Sequence, residues 1–521
     1  MAEGLLTSSF IMKSGVSIHN SFQSEPLLPD EPSGPVTFKL IFSSLVAVCG
    51  SYVYGHAVGY SSPAESGIME DLGLTTAQVS FITHFIFFNS PQSLPEARPA
   101  MNWGGGEEVK RNVGGKVGRV EYAVFSSIIA IGGMLGAVIS GRIADFFGRR
   151  WAMGISELIC MAGWILIIFA KDATLLDLGR FILGCGIGLT SYCVPIYVAE
   201  ITPKHVRGAF AALNPLLMGL GQSLAFLFGS LVNWQILAFI GIVPGLIQLP
   251  CLFFIPESPR WLANVGKMKE FEDSLRRLRG PDADIAPEAA EIKEYTEYLN
   301  QMSEGGFVNM FQRKYLYTLV VGVGLIIFQR LGGVYGFLFY ASTIFEDAGF
   351  PSRIGTIAAS IVQIITTVLG LLLIDRAGRR PMLLISTAGA CLGSVITGLA
   401  FLVKDLGSEG ELTAWLAFIG VLVYLGLLQL GLGGIPWIIM SEIFPINIKG
   451  PAGSLVVLFS WIGSWLVSYT FVYLFDWSQS GIFFIYGGIC ALGVLFIAKL
   501  VPETKGRALE EIQESMMNDS R

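Results

Sequence analysis

Gly141-Arg142-Ile143-Ala144-Asp145-Phe146-Phe147-Gly148-Arg149-Arg150 returns, shortened, as Asp375-Arg376-Ala377-Gly378-Arg379-Arg380. In both copies an acid, a glycine and two adjacent arginines stand at one spacing. A second pair repeats as well. Glu200-Ile201-Thr202-Pro203 is followed by Arg207, and Glu442-Ile443-Phe444-Pro445 is followed at the same interval by Lys449. Around these loops lie apolar runs near 38–60, 122–141, 152–170, 175–196, 209–232 and 235–255. A second set lies near 316–340, 355–374, 382–403, 413–440, 452–475 and 481–501. Each run is long enough to cross a bilayer, which takes about 20 residues. Each arginine loop follows the second run of its set. The sequence therefore predicts an all-α membrane protein of about twelve transmembrane helices in two six-helix halves, since lipid leaves no partner for an unpaired backbone group. Duplicated halves of this kind hold their ligand near the membrane midplane.

Composition agrees. Of 521 residues, 53% are hydrophobic and 14% charged, against about 25% charged in soluble domains. Mean hydropathy is +0.61. The net charge of −6 gives no basic field for nucleic acid. The seven cysteines lie in apolar stretches without paired spacing, so no disulfide framework or metal site is expected. There is no phosphate-cradling glycine loop and no nucleophile beside a base, and histidines number only four. An enzyme, a cofactor and an ATP-driven pump are excluded on those grounds.

Residues 1–35 are expected to form a disordered cytosolic tail. Its Leu27-Leu28 beside Glu25 is either a sorting signal or a chance pair. Residues 36–255 form the first half, 256–315 a cytosolic helical linker, 316–501 the second half and 502–521 a cytosolic tail. In the linker, 267–279 and 287–302 have the period of amphipathic helices. Basic residues crowd alternate loops, while Asp476 alone stands between the last two runs, so both termini are placed in the cytosol. Residues 79–121 are atypical. Phe81 to Phe88 is too short to span, and a Pro- and Gly-rich stretch follows with no assignable period. Lys110, Arg111, Lys116 and Arg119 then fall on the non-cytosolic side, against the charge rule. The segment reads first as a retained intron or mis-assigned exon, and otherwise as a structured luminal insertion.

The loop charges suggest a gate. Asp145, Arg149, Arg150, Glu200 and Arg207 are expected to pair at one set of helix ends. Asp375, Arg379, Arg380, Glu442 and Lys449 are expected to do so at the equivalent set. Arginine offers carboxylates a rigid fork. The alternative is that the arginines only mark the cytosolic face.

Several stretches resemble the sugar porter family of the major facilitator superfamily. They are Pro195-Ile196-Tyr197-Val198-Ala199-Glu200-Ile201-Thr202-Pro203 with Arg207-Gly208, Pro256-Glu257-Ser258-Pro259-Arg260-Trp261-Leu262, and Pro502-Glu503-Thr504-Lys505-Gly506. Glu25-Pro26-Leu27-Leu28, Val48-Cys49-Gly50-Ser51 and Gly55-His56-Ala57-Val58-Gly59-Tyr60-Ser61 are similar to the plant early-responsive-to-dehydration-like branch. The resemblance implies the major facilitator fold, monosaccharide transport and residence in the vacuolar membrane, with the plasma membrane as the alternative. It implies no nucleic-acid partner and no obligate protein partner.

It also implies a site. In Phe328-Gln329-Arg330-Leu331-Gly332-Gly333-Val334-Tyr335-Gly336 the family has two glutamines and an asparagine. Gln329 matches; Arg330 and Tyr335 depart. Gln363 and Trp437 fall at expected polar and aromatic contacts, and Trp461 is a second aromatic candidate. Asn214-Pro215 stands where the family has Asn-Gln. These residue types suit a neutral sugar, whose hydroxyls need amides that donate and accept and whose C–H face suits an aromatic ring. The alternative for Gln329 and Gln363 is a bond from helix to helix, and for Trp461 and Trp465 a place at the lipid interface. A cation inside a span, as Arg330 is, is costly and functional or paired.

Proton-coupled relatives carry an aspartate in the first span where this chain has Ala57. His56 is the one possible proton site there. Facilitated diffusion is therefore favoured over proton symport. A sugar sensor that binds without turnover is the reading from another class, and the short C-terminal tail speaks against it.

Overall fold

The computed structural model describes residues 36–72, 108–203, 206–302, 310–407, 410–505 and 515–516. Among them, twelve helices are long and apolar enough to cross a membrane. Spans 1 to 6 are Phe38–Gly59, Tyr122–Phe147, Arg149–Ile168, Ala173–Ile201, Arg207–Gly229 and Trp234–Leu252. Spans 7 to 12 are Arg313–Phe339, Ser352–Ile374, Arg379–Asp405, Glu411–Ile443, Pro451–Trp477 and Gln479–Leu500. The end bearing the arginine loops is called the basic end below, and the opposite end the far end.

Two elements differ from the sequence reading. Span 2 belongs to a 40-residue helix, Glu108–Phe147. Residues 108–121, expected to be aperiodic, thus continue that helix. At 1.5 Å per residue it is about 60 Å long, twice the hydrocarbon thickness. The rest of the atypical segment lies outside the described residues, as does the tail with Leu27-Leu28. Span 7, read as one run, is broken. Helix Arg313–Leu331 is followed by Val334–Phe339 and then Ala341–Asp347. Gly333 joins the first two at φ +97°, a left-handed conformation open to glycine. Span 10 stops at Leu430 and restarts at Ile435, so Gly433-Gly434-Ile435-Pro436 does interrupt a helix, as proline and glycine would.

The packing repeats with the sequence. In the first half span 2 lies on 4, span 3 on 4 and 6, and span 1 on 5; in the second, span 8 lies on 10, span 9 on 10 and 12, and span 7 on 11. Adding six to each number carries one half onto the other. Between halves span 2 meets 11 and span 5 meets 8, and that pair is also exchanged by the same operation.

Between lipid-soluble helices no hydrophobic drive exists, so association depends on close backbone approach. Spans 2 and 4 achieve it through glycine. A Cβ on Gly136 would run into the Cys185 carbonyl, and one on Gly188 into that of Gly133. At the basic end helices Met268–Arg279 and Ala286–Met302 form the linker. Arg279 pairs with Glu288 at 2.7 Å and donates to the Ile201 carbonyl at 2.9 Å. Thr37 donates to the Leu278 carbonyl at 2.6 Å. The linker is thereby bonded to the start of span 1 and the end of span 4 at that face.

Gly136→Val should push spans 2 and 4 apart. Overpacking of this kind costs about 1–3 kcal/mol. The detergent-solubilised variant is expected to lose its monodisperse chromatographic peak at a lower temperature than the parent, whereas Gly488→Val, at a glycine with open space around its Cβ position, is expected to match the parent.

Candidate functional site

At the basic end each half builds the same device. Gly148 (φ +89°) and Gly378 (φ +94°) turn the chain into spans 3 and 9. A helix start exposes backbone N–H groups that need acceptors, and a carboxylate from the end of the same half supplies them. Glu257 accepts from the N–H groups of Arg149 at 2.9 Å and Arg150 at 3.1 Å. Glu503 accepts from those of Arg379 at 3.0 Å and Arg380 at 3.1 Å. A Cβ on Gly148 would sit 2.5 Å from Glu257 Oε2, and one on Gly378 2.8 Å from Glu503 Oε2, so glycine is needed for the approach as well as for the turn.

The two carboxylates titrate in opposite directions. Burial pushes the Glu257 carboxyl up, and the N–H groups of Ser258, Arg150 and Arg149 recover only part of the cost. Burial also raises Glu503, but four N–H groups, of Lys505, Arg379, Arg380 and Thr504, outweigh it and hold that carboxyl below its ordinary value.

The arginine side chains run within each half. Arg149, 7% exposed, places Nε 3.0 Å from Glu200 Oε2 and Nη2 3.2 Å from Oε1, while Nη1 reaches Asp145 at 3.0 Å. Arg379 lies 3.6 Å from Glu442. Arg150 and Arg207 depart from the expected carboxylate pairs. Arg150 donates to the Ile255 carbonyl and Arg207 to that of Thr202, each at 3.3 Å. Arg380 likewise donates to the Ala498 carbonyl at 2.5 Å. The side chains of Asp375 and Lys449 lie outside the described residues.

At the far end, polar bonds tie the halves together. Ser62 Oγ lies 3.0 Å from Ser342 Oγ and accepts from its backbone N–H at 2.9 Å. Thr343 donates to Glu65. Tyr340 accepts from Ser126 at 2.6 Å and donates to the Ser468 carbonyl at 3.1 Å.

Between the ends lie the expected contact residues. Gln363 is fully buried, and its Oε1 accepts from Gln222 Nε2 at 2.7 Å, across the halves. Gln329 Nε2 donates at 2.5 Å to the Leu432 carbonyl, in the interruption of span 10. Gln363 Nε2 and Gln329 Oε1 are left buried with no protein partner. Trp437, just beyond that interruption, is 36% exposed. Trp461 is buried, its ring against Gly133 of span 2 and 6.1 Å from that of Tyr54 in span 1; it therefore fills the junction of the halves and does not stand in lipid. Trp465 stacks on Tyr469. Pro215 faces Gly434 across the same junction. Arg330 and Tyr335 come together, the guanidinium 5.2 Å from the ring centre, with Arg330 Nε donating to Ser460 Oγ at 3.0 Å.

Sequence reading missed three residues. Gln222 shows in the sequence only as a lone amide in an apolar run beside the more conspicuous Asn214-Pro215. Arg180 was overlooked inside span 4, although a cation there is itself a signal. It is fully buried and donates to the Ala57 carbonyl at 2.8 Å and to Ser61 Oγ, with the rings of Phe125 and Tyr60 at 4.9 and 5.6 Å. No carboxylate pairs with it among the described residues. Glu157 in span 3 is 1% exposed, against Gly245, with no partner for either oxygen. His56 is fully buried, with Nε2 3.1 Å from the Leu237 carbonyl and the ring edge-on to Trp164.

Residues 66–516 match the family described as sugar (and other) transporter. Over 485 residues the chain is 44% identical to sugar transporter ERD6-like 7 of Arabidopsis thaliana, covering 93% of this chain and 94% of that one. It is 45% identical over 487 residues to sugar transporter ERD6-like 10 of the same plant, covering 94% and 97%. In fold it is similar to the major facilitator superfamily proton:xylose symporter XylE of E. coli bound to 6-bromo-6-deoxy-D-glucose. The TM-score is 0.71 at 23% identity, over 92% of this chain and 100% of that one.

The caps give a pH signature. A carboxyl held below its ordinary value stabilises the fold above that value, and the contribution is lost as the pH falls through the lowered one. Glu503→Gln should therefore lower the unfolding temperature at neutral pH, by the equivalent of about 1 kcal/mol for a lost helix cap. The gap to the parent should close as the pH drops below 4.5, the carboxyl's ordinary value. Thermal scans at a series of pH values read this directly.

Proposed function

Since the chain belongs to the sugar transporter family of the major facilitator superfamily, we propose that it moves monosaccharides by alternating access, as facilitated diffusion. The observation that carries the reading is the amide pair Gln222–Gln363, which bridges the halves and leaves a donor of Gln363 unused, as Gln329 leaves an acceptor. Buried polar groups without partners are costly. A sugar hydroxyl both donates and accepts, so a bound sugar completes both amides. Trp437 offers an aromatic face for the sugar ring.

In the mechanism, the far-end bonds of Ser62, Glu65 and Ser126 hold one entrance shut. The sugar reaches the amides from the basic end, which we place in the cytosol with both termini. The halves then rock about the site. The paired caps and the Arg149–Glu200 and Arg379–Glu442 contacts keep each half stiff as it turns. Breaking the far-end bonds opens the other side. The acidic Leu27-Leu28 segment supports delivery to the vacuolar membrane.

Diffusion down the sugar gradient rests on Ala57. Arg180 meets only the backbone carbonyl of that residue, so span 1 supplies no acid to exchange a proton with it. His56 is sealed by Leu237 and Trp164.

The test is counterflow of labelled glucose, fructose and xylose in liposomes holding the purified protein, with and without a pH gradient. Exchange of at least one sugar, insensitive to a protonophore, is expected. Gln363→Ala should weaken it about tenfold, the equivalent of ~1.4 kcal/mol. Glu157→Gln should leave it intact. Saturable binding without exchange would favour the sensor reading, and alkalinisation driven by the sugar would favour symport.

A further inference from the structure

Arg330 is a cation inside span 7, and among the described residues no carboxylate pairs with it. The protein uses one edge of its guanidinium: Nε donates to Ser460 Oγ at 3.0 Å. The plane lies over the Tyr335 ring. Neither Nη group bonds to protein among the described residues, and neither is sealed away. Span 11 makes room for it, since a Cβ on Gly463 would sit 2.8 Å from Arg330 Cβ. Tyr54 of span 1 faces both Arg330 and Tyr335, and the Trp461 ring is 6.1 Å from that of Tyr54. The residue thus stands where spans 1, 7 and 11 meet, one position from Gln329 and between the two halves.

A positive charge at this depth is expensive unless something offsets it. The nearby groups offset it only partly. A tyrosine face contributes about 0.5–2 kcal/mol to a cation, and a serine oxygen is neutral. Arg180 differs, because both of its Nη groups are engaged, by the Ala57 carbonyl and by Ser61. What remains on Arg330 is a pair of parallel N–H groups, the fork that fits the two oxygens of a carboxylate.

We propose that Arg330 selects a monosaccharide bearing a carboxylate, a uronic or aldonic acid. This deepens the transport reading and rests on it: Gln363, Gln329 and Trp437 hold the hydroxyls and the ring, and Arg330 holds the acid group. One cation matches one negative charge, whereas a phosphate ester carries up to two. The pair of departures from the family pattern, Arg330 and Tyr335, then has a single cause. Tyrosine supports the guanidinium from below where an asparagine would have addressed a hydroxyl.

Counterflow in liposomes distinguishes the outcomes. Labelled glucuronate is expected to exchange with an apparent affinity at least tenfold above that of glucose, and the neutral amide glucuronamide to compete no better than glucose. Arg330→Gln should cut the glucuronate-to-glucose preference at least tenfold. Arg330→Lys, which keeps the charge without the fork, should give an intermediate ratio. Exchange of glucose with no preference for glucuronate would overturn the carboxylate assignment and leave sugar transport standing. Preferential exchange of glucose 6-phosphate would also overturn it. Exchange of no sugar, acid or neutral, would overturn both.

Discussion

Hydrocarbon accepts no hydrogen bond, so each polar group that enters the membrane must find its partner in the protein. The interior of this chain is arranged by that rule. Arg180 gives its two Nη groups to the Ala57 carbonyl and Ser61 and rests against aromatic rings. The N–H groups opening spans 3 and 9 end on Glu257 and Glu503. Among the polar atoms left over, those of Gln363 and Gln329 stand between the halves or beside the interruption of span 10, where a solute can satisfy them, while others, such as both Glu157 oxygens, His56 Nδ1 and Gln248 Oε1, lie inside the first half.

The halves are equivalent in plan and unequal in detail. Arg149 grips Glu200 with two nitrogens and Asp145 with a third, whereas Arg379 meets Glu442 at 3.6 Å. Bidentate, partly buried pairs are the stronger kind. The Glu257 peptide carbonyl accepts from Ser274 of the linker at 2.6 Å, while four backbone N–H groups converge on the Glu503 carboxylate. Interrupted helices occur in both halves, in span 5 at Ala212 and in spans 7 and 10.

The twelve runs and the doubled loops were legible because lipid imposes length and the positive residues impose direction. Gly433-Gly434-Ile435-Pro436 announced its own interruption. The break at Gly333 was hidden, since apolar residues continue through it and only the left-handed turn marks it. Residues 108–121 looked structureless because the glycines and basic residues masked the helix period. Partner choice was the least readable feature. Arg150 and Arg207 look like ion-pair residues in the sequence, yet helix-end carbonyls lie nearer to them. Gln222 gained meaning only when span 8 brought Gln363 to it.

The central claim is that two stiff halves turn about one site, so that the two entrances open in opposition. Spin labels test it most directly. One pair belongs at the far end, on Leu231→Cys and Leu406→Cys, and a second pair at the basic end, on Phe146→Cys and Ala377→Cys, all exposed positions. Distances measured by double electron–electron resonance should fall into two populations. The far-end distance should be short wherever the basic-end distance is long, and transported sugar should shift the balance between them. Distances that lengthen together, or a single population unmoved by any sugar, would contradict the account.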